Sequence, residues 1–199
     1  MSVLLDARRE ATHDLRPFIV GLGGTLSEAS SSERALRLAL DAAAAQGART
    51  QLFGAQALDL PMYTVDRSQR TPAAIELVDA LARADGVVIA TPGYHGGISG
   101  LVKNALDYIE DLRDDVRPYL DGRAVGLIVC AYGWQATTTT LTSLRSTVHA
   151  LRGWPTPLGV TINSAQTSFD ATGRPADERC AEQLASLSGQ VLKFAGVRR

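Results

Sequence analysis

Between Pro17 and Phe194 the chain alternates short apolar runs with alanine- and leucine-rich segments of helical period. The runs are Pro17–Gly24, a weaker Arg49–Ala55, Gly86–Thr91, Ala124–Cys130 and Pro157–Ile162. Gly86–Thr91 (GVVIAT) carries β-branched residues and no charge, as a strand covered on both faces must. The intervening segments Ser30–Gln46, Pro72–Ala84, Ser99–Glu110, Thr137–Leu151 and Ala176–Phe194 read as helices. The first stops at Gly47, and Pro72 suits a first helical turn. Leu141, Leu144, Val148 and Leu151 keep helical spacing despite four consecutive threonines. Leu58–Pro72 is turn-rich. Such alternation predicts an α/β three-layer sandwich, a five-stranded parallel sheet with helices on both faces. The expected strand order is 2-1-3-4-5, with ligands beyond the carboxyl ends of the strands.

Composition narrows the function. The 199 residues carry 20 basic and 21 acidic side chains, a net charge of −1. That balance argues against a broad basic face for nucleic acid and against an acidic electron carrier that docks by charge. No stretch approaches the roughly 20 apolar residues of a membrane span. Cys130 and Cys180 form no CxxC, so neither a disulfide framework nor a structural zinc site is expected, and a reducing cytoplasm fits. Residues 1–16 read as an N-terminal arm, its run Val3–Leu5 too short for a signal-peptide core. Residues 17–199 read as one domain. His13 and His149 have no partner that points to catalysis or metal binding.

Three loops follow strand ends. The first, Gly23–Ser32, joins a strand to a helix N-terminus, where outward N–H groups and the helix dipole favour an anion. Thr25, Ser27, Ser30, Ser31 and Ser32 add hydroxyls suited to a phosphate monoester. The same residues contain a capping box, Ser30 to Glu33, which needs no ligand. Glu28 and Glu33 oppose a phosphate, and Arg34 offsets one of them. Starting at Gly21, the last glycine of a dinucleotide fingerprint falls on Leu26, and no acid closes the second strand. The third-strand loop gathers Pro92, Gly93, Tyr94, His95, Gly96 and Gly97 before a helix on which Lys103 and Asp107 are spaced to pair. Its glycines let backbone N–H groups approach a planar ligand. The fourth-strand loop holds Ala131, Tyr132, Gly133 and Trp134; Trp134 either stacks near a ligand or packs beneath the next helix. Cys130 reads as a buried apolar residue rather than a nucleophile.

The pattern Thr91-Pro92-x-Tyr94-x-Gly96-x-Ile98-x-Gly100-Leu101-x-Lys103-Asn104-Ala105-x-Asp107 resembles the signature of the NAD(P)H-dependent FMN reductases, a flavodoxin-like family. The resemblance implies that Thr25, Ser27, Ser30 and Ser32 hold the FMN phosphate. It also implies that Pro92, Gly93, Tyr94, His95, Gly96 and Gly97 line the ring, flanked by Ala131, Tyr132, Gly133 and Trp134. Ser27 stands where the family has arginine, Thr25 where it has serine, Ser32 where it has asparagine, and His95 where relatives often carry asparagine. Loss of the arginine removes a bidentate, charge-assisted contact, so FMN is expected to bind weakly and exchange.

The implied reaction is hydride transfer from NADPH or NADH to FMN, with the protein supplying orientation. No side chain is assigned as acid or base; N–H groups near Gly96 and Gly97 are the expected source of charge stabilisation. Reduced flavin would then pass to a flavin-dependent monooxygenase. The alternative is an FMN-containing quinone, azo or nitro reductase. Readings of another class are a flavodoxin-like electron carrier or an FMN-less binding protein. The resemblance also implies small-molecule substrates and a homodimer or homotetramer.

Overall fold

The structure is a computed structural model and describes residues 15–27 and 30–196. The expected arm therefore lies outside the described residues except for Leu15 and Arg16. The strands are β1 (Phe18–Gly23), β2 (Arg49–Phe53), β3 (Gly86–Tyr94), β4 (Gly97–Ile98), β5 (Ala124–Ala131) and β6 (Trp154–Asn163). The helices are α1 (Ser31–Ala45), α2 (Pro72–Arg83), α3 (Gly100–Asp107), α4 (Trp134–Ala150) and α5 (Glu178–Gly196). Five strands run parallel in the order β2-β1-β3-β5-β6, the expected topology. The sixth, β4, is an addition: it pairs antiparallel with the end of β3, Gly93 opposite Ile98 and Tyr94 opposite Gly97.

Strand alternation builds the layers. Val20, Leu22, Val87, Ile89, Leu127 and Val129 meet α2, α3 and α4 on one face. Ile19, Val88, Ala90, Ile128, Val160 and Ile162 meet α1 and α5 on the other. Ser188 Oγ, buried on α5, donates to Ala39 O of α1 at 2.6 Å and joins the two helices of that second layer.

Several boundaries shift for local reasons. β6 begins at Trp154, not Pro157, because an edge strand tolerates Pro155 and Pro157, which have no N–H to give to a ladder. α4 begins three residues early, at Trp134; its N-cap is Gly133, which makes no side-chain hydrogen bond. Its threonines are accommodated by hydroxyls that donate back to helix carbonyls, Thr137 and Thr138 to Trp134 O and Thr142 to Thr138 O. α3 ends at Asp107 and tightens into a 3₁₀ turn, Tyr108–Leu112.

The turn-rich segment after β2 is strapped to α3 by polar bonds. Buried Asn104 accepts from Tyr63 N at 2.8 Å and donates to Leu60 O and Pro61 O. Tyr108 donates its hydroxyl to Pro61 O. Arg70 grips Asp111 with two bonds, 2.6 and 3.0 Å, and its guanidinium lies over the Tyr63 and Tyr108 rings. Opposite the strands' carboxyl ends, the fully buried Arg123 donates to Ala84 O, Ala82 O, Tyr119 O and Asp121 O.

Candidate active-site cleft at the carboxyl ends of the strands

β1 leaves the sheet through Gly23 and Gly24, at φ +149° and +118°. Both values are hostile to a side chain, and Gly23 sits so close to β3 that a Cβ would stand 2.0 Å from Ala90 O. The chain thereby turns over the sheet end to the start of α1. Ser30 caps that helix, its Oγ accepting from Glu33 N at 3.2 Å and lying 3.0 Å from Ser32 Oγ. The first intrahelical bond is Arg34 N to Ser30 O, so the N–H groups of Ser31 and Ser32 precede the ladder.

Only half of the expected capping box forms. The Glu33 carboxylate turns away from Ser30, accepting from Ala55 N at 3.2 Å and from Arg37 Nη2 at 2.6 Å. Arg37, not Arg34, neutralises it; Arg34 Nη1 donates to Phe169 O at 3.2 Å. Glu28 lies outside the described residues.

At the end of β3, buried Thr91 accepts from Ser99 N at 3.1 Å, and Ser99 caps α3 through Val102 N. Between them β3 and β4 form a hairpin whose two turn residues, His95 and Gly96, have φ +52° and +78°. Two positive φ values match a type I′ turn, which favours asparagine then glycine. Histidine tolerates positive φ better than most residues. His95→Asn is therefore expected to hold or slightly raise stability, and Gly96→Ala to lower it by about 1 kcal/mol. Urea midpoints at constant m check both; equal midpoints for the two variants would exclude this turn.

The three loops converge on one cleft of about 230 Å³, lined by Thr25, Ser27, Ser30–Ser32, Pro92–Tyr94, Cys130–Tyr132 and Ser164. Among these described residues there is no carboxylate and no cation. Hydroxyls and the amino end of α1 give it its polarity, a donor set that fits a phosphate monoester. His95, Gly96 and Gly133 line a neighbouring hollow with Gln135, Ala136 and Thr139. Gly97 and Trp134 line neither: Gly97 pairs with Tyr94, and Trp134 is the first residue of α4. Trp134 is 53% exposed, so it does not pack beneath the helix. Lys103 and Asp107 pair at 2.6 Å on the exposed face of α3, as spaced.

Ser164 is the lining residue that the sequence reading passed over. It follows β6, whose carboxyl end opens on the same side as β1, β3 and β5, so the sheet rule alone flags it. Cys130 lines the cleft but is buried, and burial pushes its thiol far up, reinforced by Cys180. It stays protonated at neutral pH and is no nucleophile. No helix among the described residues is long and apolar enough to cross a membrane.

Comparison with known proteins agrees with this geometry. Over 185 residues the chain is 29% identical to NAD(P)H-dependent FMN reductase PA1204 of Pseudomonas aeruginosa, covering 89% of this chain and 97% of that protein. It is 25% identical over 150 residues to an NADPH azoreductase of a Bacillus species, covering 75% of this chain and 81% of that one. The solved flavoenzyme NAD(P)H:(acceptor) oxidoreductase FerB of Paracoccus denitrificans superposes with a TM-score of 0.73 at 19% identity, covering 91% and 98% of the two chains, and shows the same fold. The family described as NADPH-dependent FMN reductase matches residues 17–167, most of the chain. The signature around the β3–β4 hairpin, the parallel sheet and this match together place the chain in the NADPH-dependent FMN reductase family, among the NAD(P)H-dependent flavin oxidoreductases.

Proposed function

We propose that the cleft binds FMN and that the protein is an NAD(P)H:FMN oxidoreductase handling flavin as an exchangeable substrate. The observation that carries this is a single cleft joining a hydroxyl-lined helix N-terminus to a glycine–aromatic strand end, with no carboxylate among its described lining. FMN, when bound, would supply the redox chemistry between a nicotinamide and an electron acceptor.

The chain's own part is binding and orientation. Thr25, Ser27, Ser30 and Ser32, with the N–H groups opening α1, would hold the phosphate. Pro92, Gly93 and Tyr94, with Ala131 and Tyr132, would flank the ring, and His95, Gly96 and Gly133 would border the adjoining hollow. Gly97 and Trp134 support these residues from the hairpin and the α4 terminus rather than by contact. Tyr94 and Tyr132, 58% and 83% exposed, offer flat surfaces at the mouth where a nicotinamide or an aromatic acceptor can stack. An aromatic acceptor stacked there suits the second reading, in which FMN stays bound and a quinone, azo or nitro compound is reduced.

FMN titration by fluorescence quenching, followed by NADPH and NADH oxidation with and without added FMN, tests both readings. Turnover saturating in free FMN is the expected outcome. Activity that needs a quinone, azo or nitro acceptor on tightly held FMN would select the second reading, and absence of FMN binding would sink both. Ser27→Arg should tighten FMN roughly 10-fold or more, since a charge-assisted bond contributes about 1.5–3 kcal/mol.

A further inference from the structure

Beside the flavin cleft lies a larger hollow of about 620 Å³ between the β1 loop and the end of β2. Thr25 and Ser27 line both spaces. Leu26, Leu52, Gly54–Ala57, Glu33 and Arg37 complete the lining of the larger hollow.

Its one cation among the described lining is Arg37. Helical side chains lean toward the N-terminus, so Arg37 brings its guanidinium level with Glu33 in the first turn of α1. The Arg37 side chain is 58% exposed, and among the described residues its one polar contact is Nη2 to Glu33 Oε1. A guanidinium has five N–H donors, and an exposed i,i+4 pair is weak, so an incoming phosphate can take this group. Glu33 is poorly placed to take a ribose diol instead. Its other oxygen holds Ala55 N, and its carboxyl lies against Gly54, where a Cβ would come within 3.0 Å of it. A guanidinium with unengaged N–H donors suits a phosphate monoester, and a free carboxylate at the strand end would oppose one. β2 ends in Leu52-Phe53-Gly54-Ala55, without an acid.

We propose that this hollow receives the 2′-phosphorylated adenosine end of NADPH, and that Arg37 discriminates NADPH from NADH. The proposal rests on the reading of the neighbouring cleft as the flavin and nicotinamide site. Thr25 and Ser27 then form the ridge over which the dinucleotide passes.

The test is calorimetric titration with adenosine 2′,5′-bisphosphate, 5′-AMP and inorganic phosphate, independent of any turnover. The bisphosphate should bind the native protein at least 10-fold tighter than 5′-AMP. Arg37→Gln should abolish that difference. Glu33→Gln, which keeps an acceptor for Ala55 N but removes the competing charge, should strengthen bisphosphate binding several-fold. A merely structural Glu33–Arg37 pair would weaken binding in both variants. In turnover, Arg37→Gln should lower the NADPH-to-NADH ratio of kcat/KM about 10-fold, mostly through the KM for NADPH. Equal affinity for bisphosphate and 5′-AMP, or an unchanged ratio in Arg37→Gln, overturns the proposal. Bisphosphate selectivity lost in Arg37→Gln, in a protein that oxidises neither nucleotide with FMN, would support the subsite and refute the flavin reductase reading instead.

Discussion

Replacing Gly23 by alanine should leave the chain largely unfolded or lower its stability by about 4 kcal/mol or more, a large part of what holds a typical domain. The added Cβ would stand 2.0 Å from Ala90 O and under 3 Å from Ala90 C and N, all main-chain atoms of the neighbouring strand. A flexible side chain could move aside; β3 cannot, because Gly23 pairs with Ala90 in the centre of the sheet. The backbone at φ +149° adds strain of its own. Gly21→Ala is the useful contrast. Its Cβ would meet Leu40 Cδ1 at 2.6 Å, a side-chain end that can rotate, so the cost should be about 1–3 kcal/mol. Soluble yield, far-UV circular dichroism and urea midpoints compare the two. A Gly23→Ala protein with native stability would mean that β1 leaves the sheet differently from the path described.

The second large effect is expected at the opposite end of the strands. Arg123→Met should cost about 3 kcal/mol, whereas Arg117→Met should cost about 1 kcal/mol. Both guanidinium groups reach Ala82 O and Ala84 O, each with a 2.7 Å bond to Ala82 O. Arg123 alone also reaches Tyr119 O and Asp121 O, and it is wholly buried while Arg117 is partly exposed. Methionine fills much of the volume but leaves those carbonyls without this donor, and unsatisfied buried acceptors bear the full desolvation cost. Because two acceptors are shared, the double variant should lose more than the sum of the single losses. Thermal and urea unfolding of the four proteins in the cycle give the coupling directly; strict additivity would show that the shared carbonyls do not link the two residues.

Much of this architecture was legible because it follows from period and punctuation. Gly86–Thr91 can only be a covered strand, and Pro72 and Gly47 mark helix ends wherever they occur. What escaped lacked local signals. β4 is two residues long, its ladder made by the His95–Gly96 turn rather than by any apolar run. The start of α4 has no capping side chain to announce it. The early start of β6 was hidden by prolines that only its edge position permits. At the site, the hydroxyl cradle and the glycine–aromatic loop could be read because adjacent residues form them. Ser164 was open to the sheet rule, since it follows the carboxyl end of β6, whereas the turn of Glu33 toward Ala55 was not, because it depends on a segment distant in sequence.

Arg123 and its carbonyls sit at the amino ends of the strands, and the cleft sits at their carboxyl ends. The sheet and the helices packed on its two faces hold the poles apart, so a side chain changed at one end does not touch the contacts of the other. Residues such as Ser27 and His95, on loops over the far end, are free to drift in identity without drawing on the polar clamp or the two apolar layers. Such a division lets a lineage explore new acceptors by changing its loops while inheriting its stability intact.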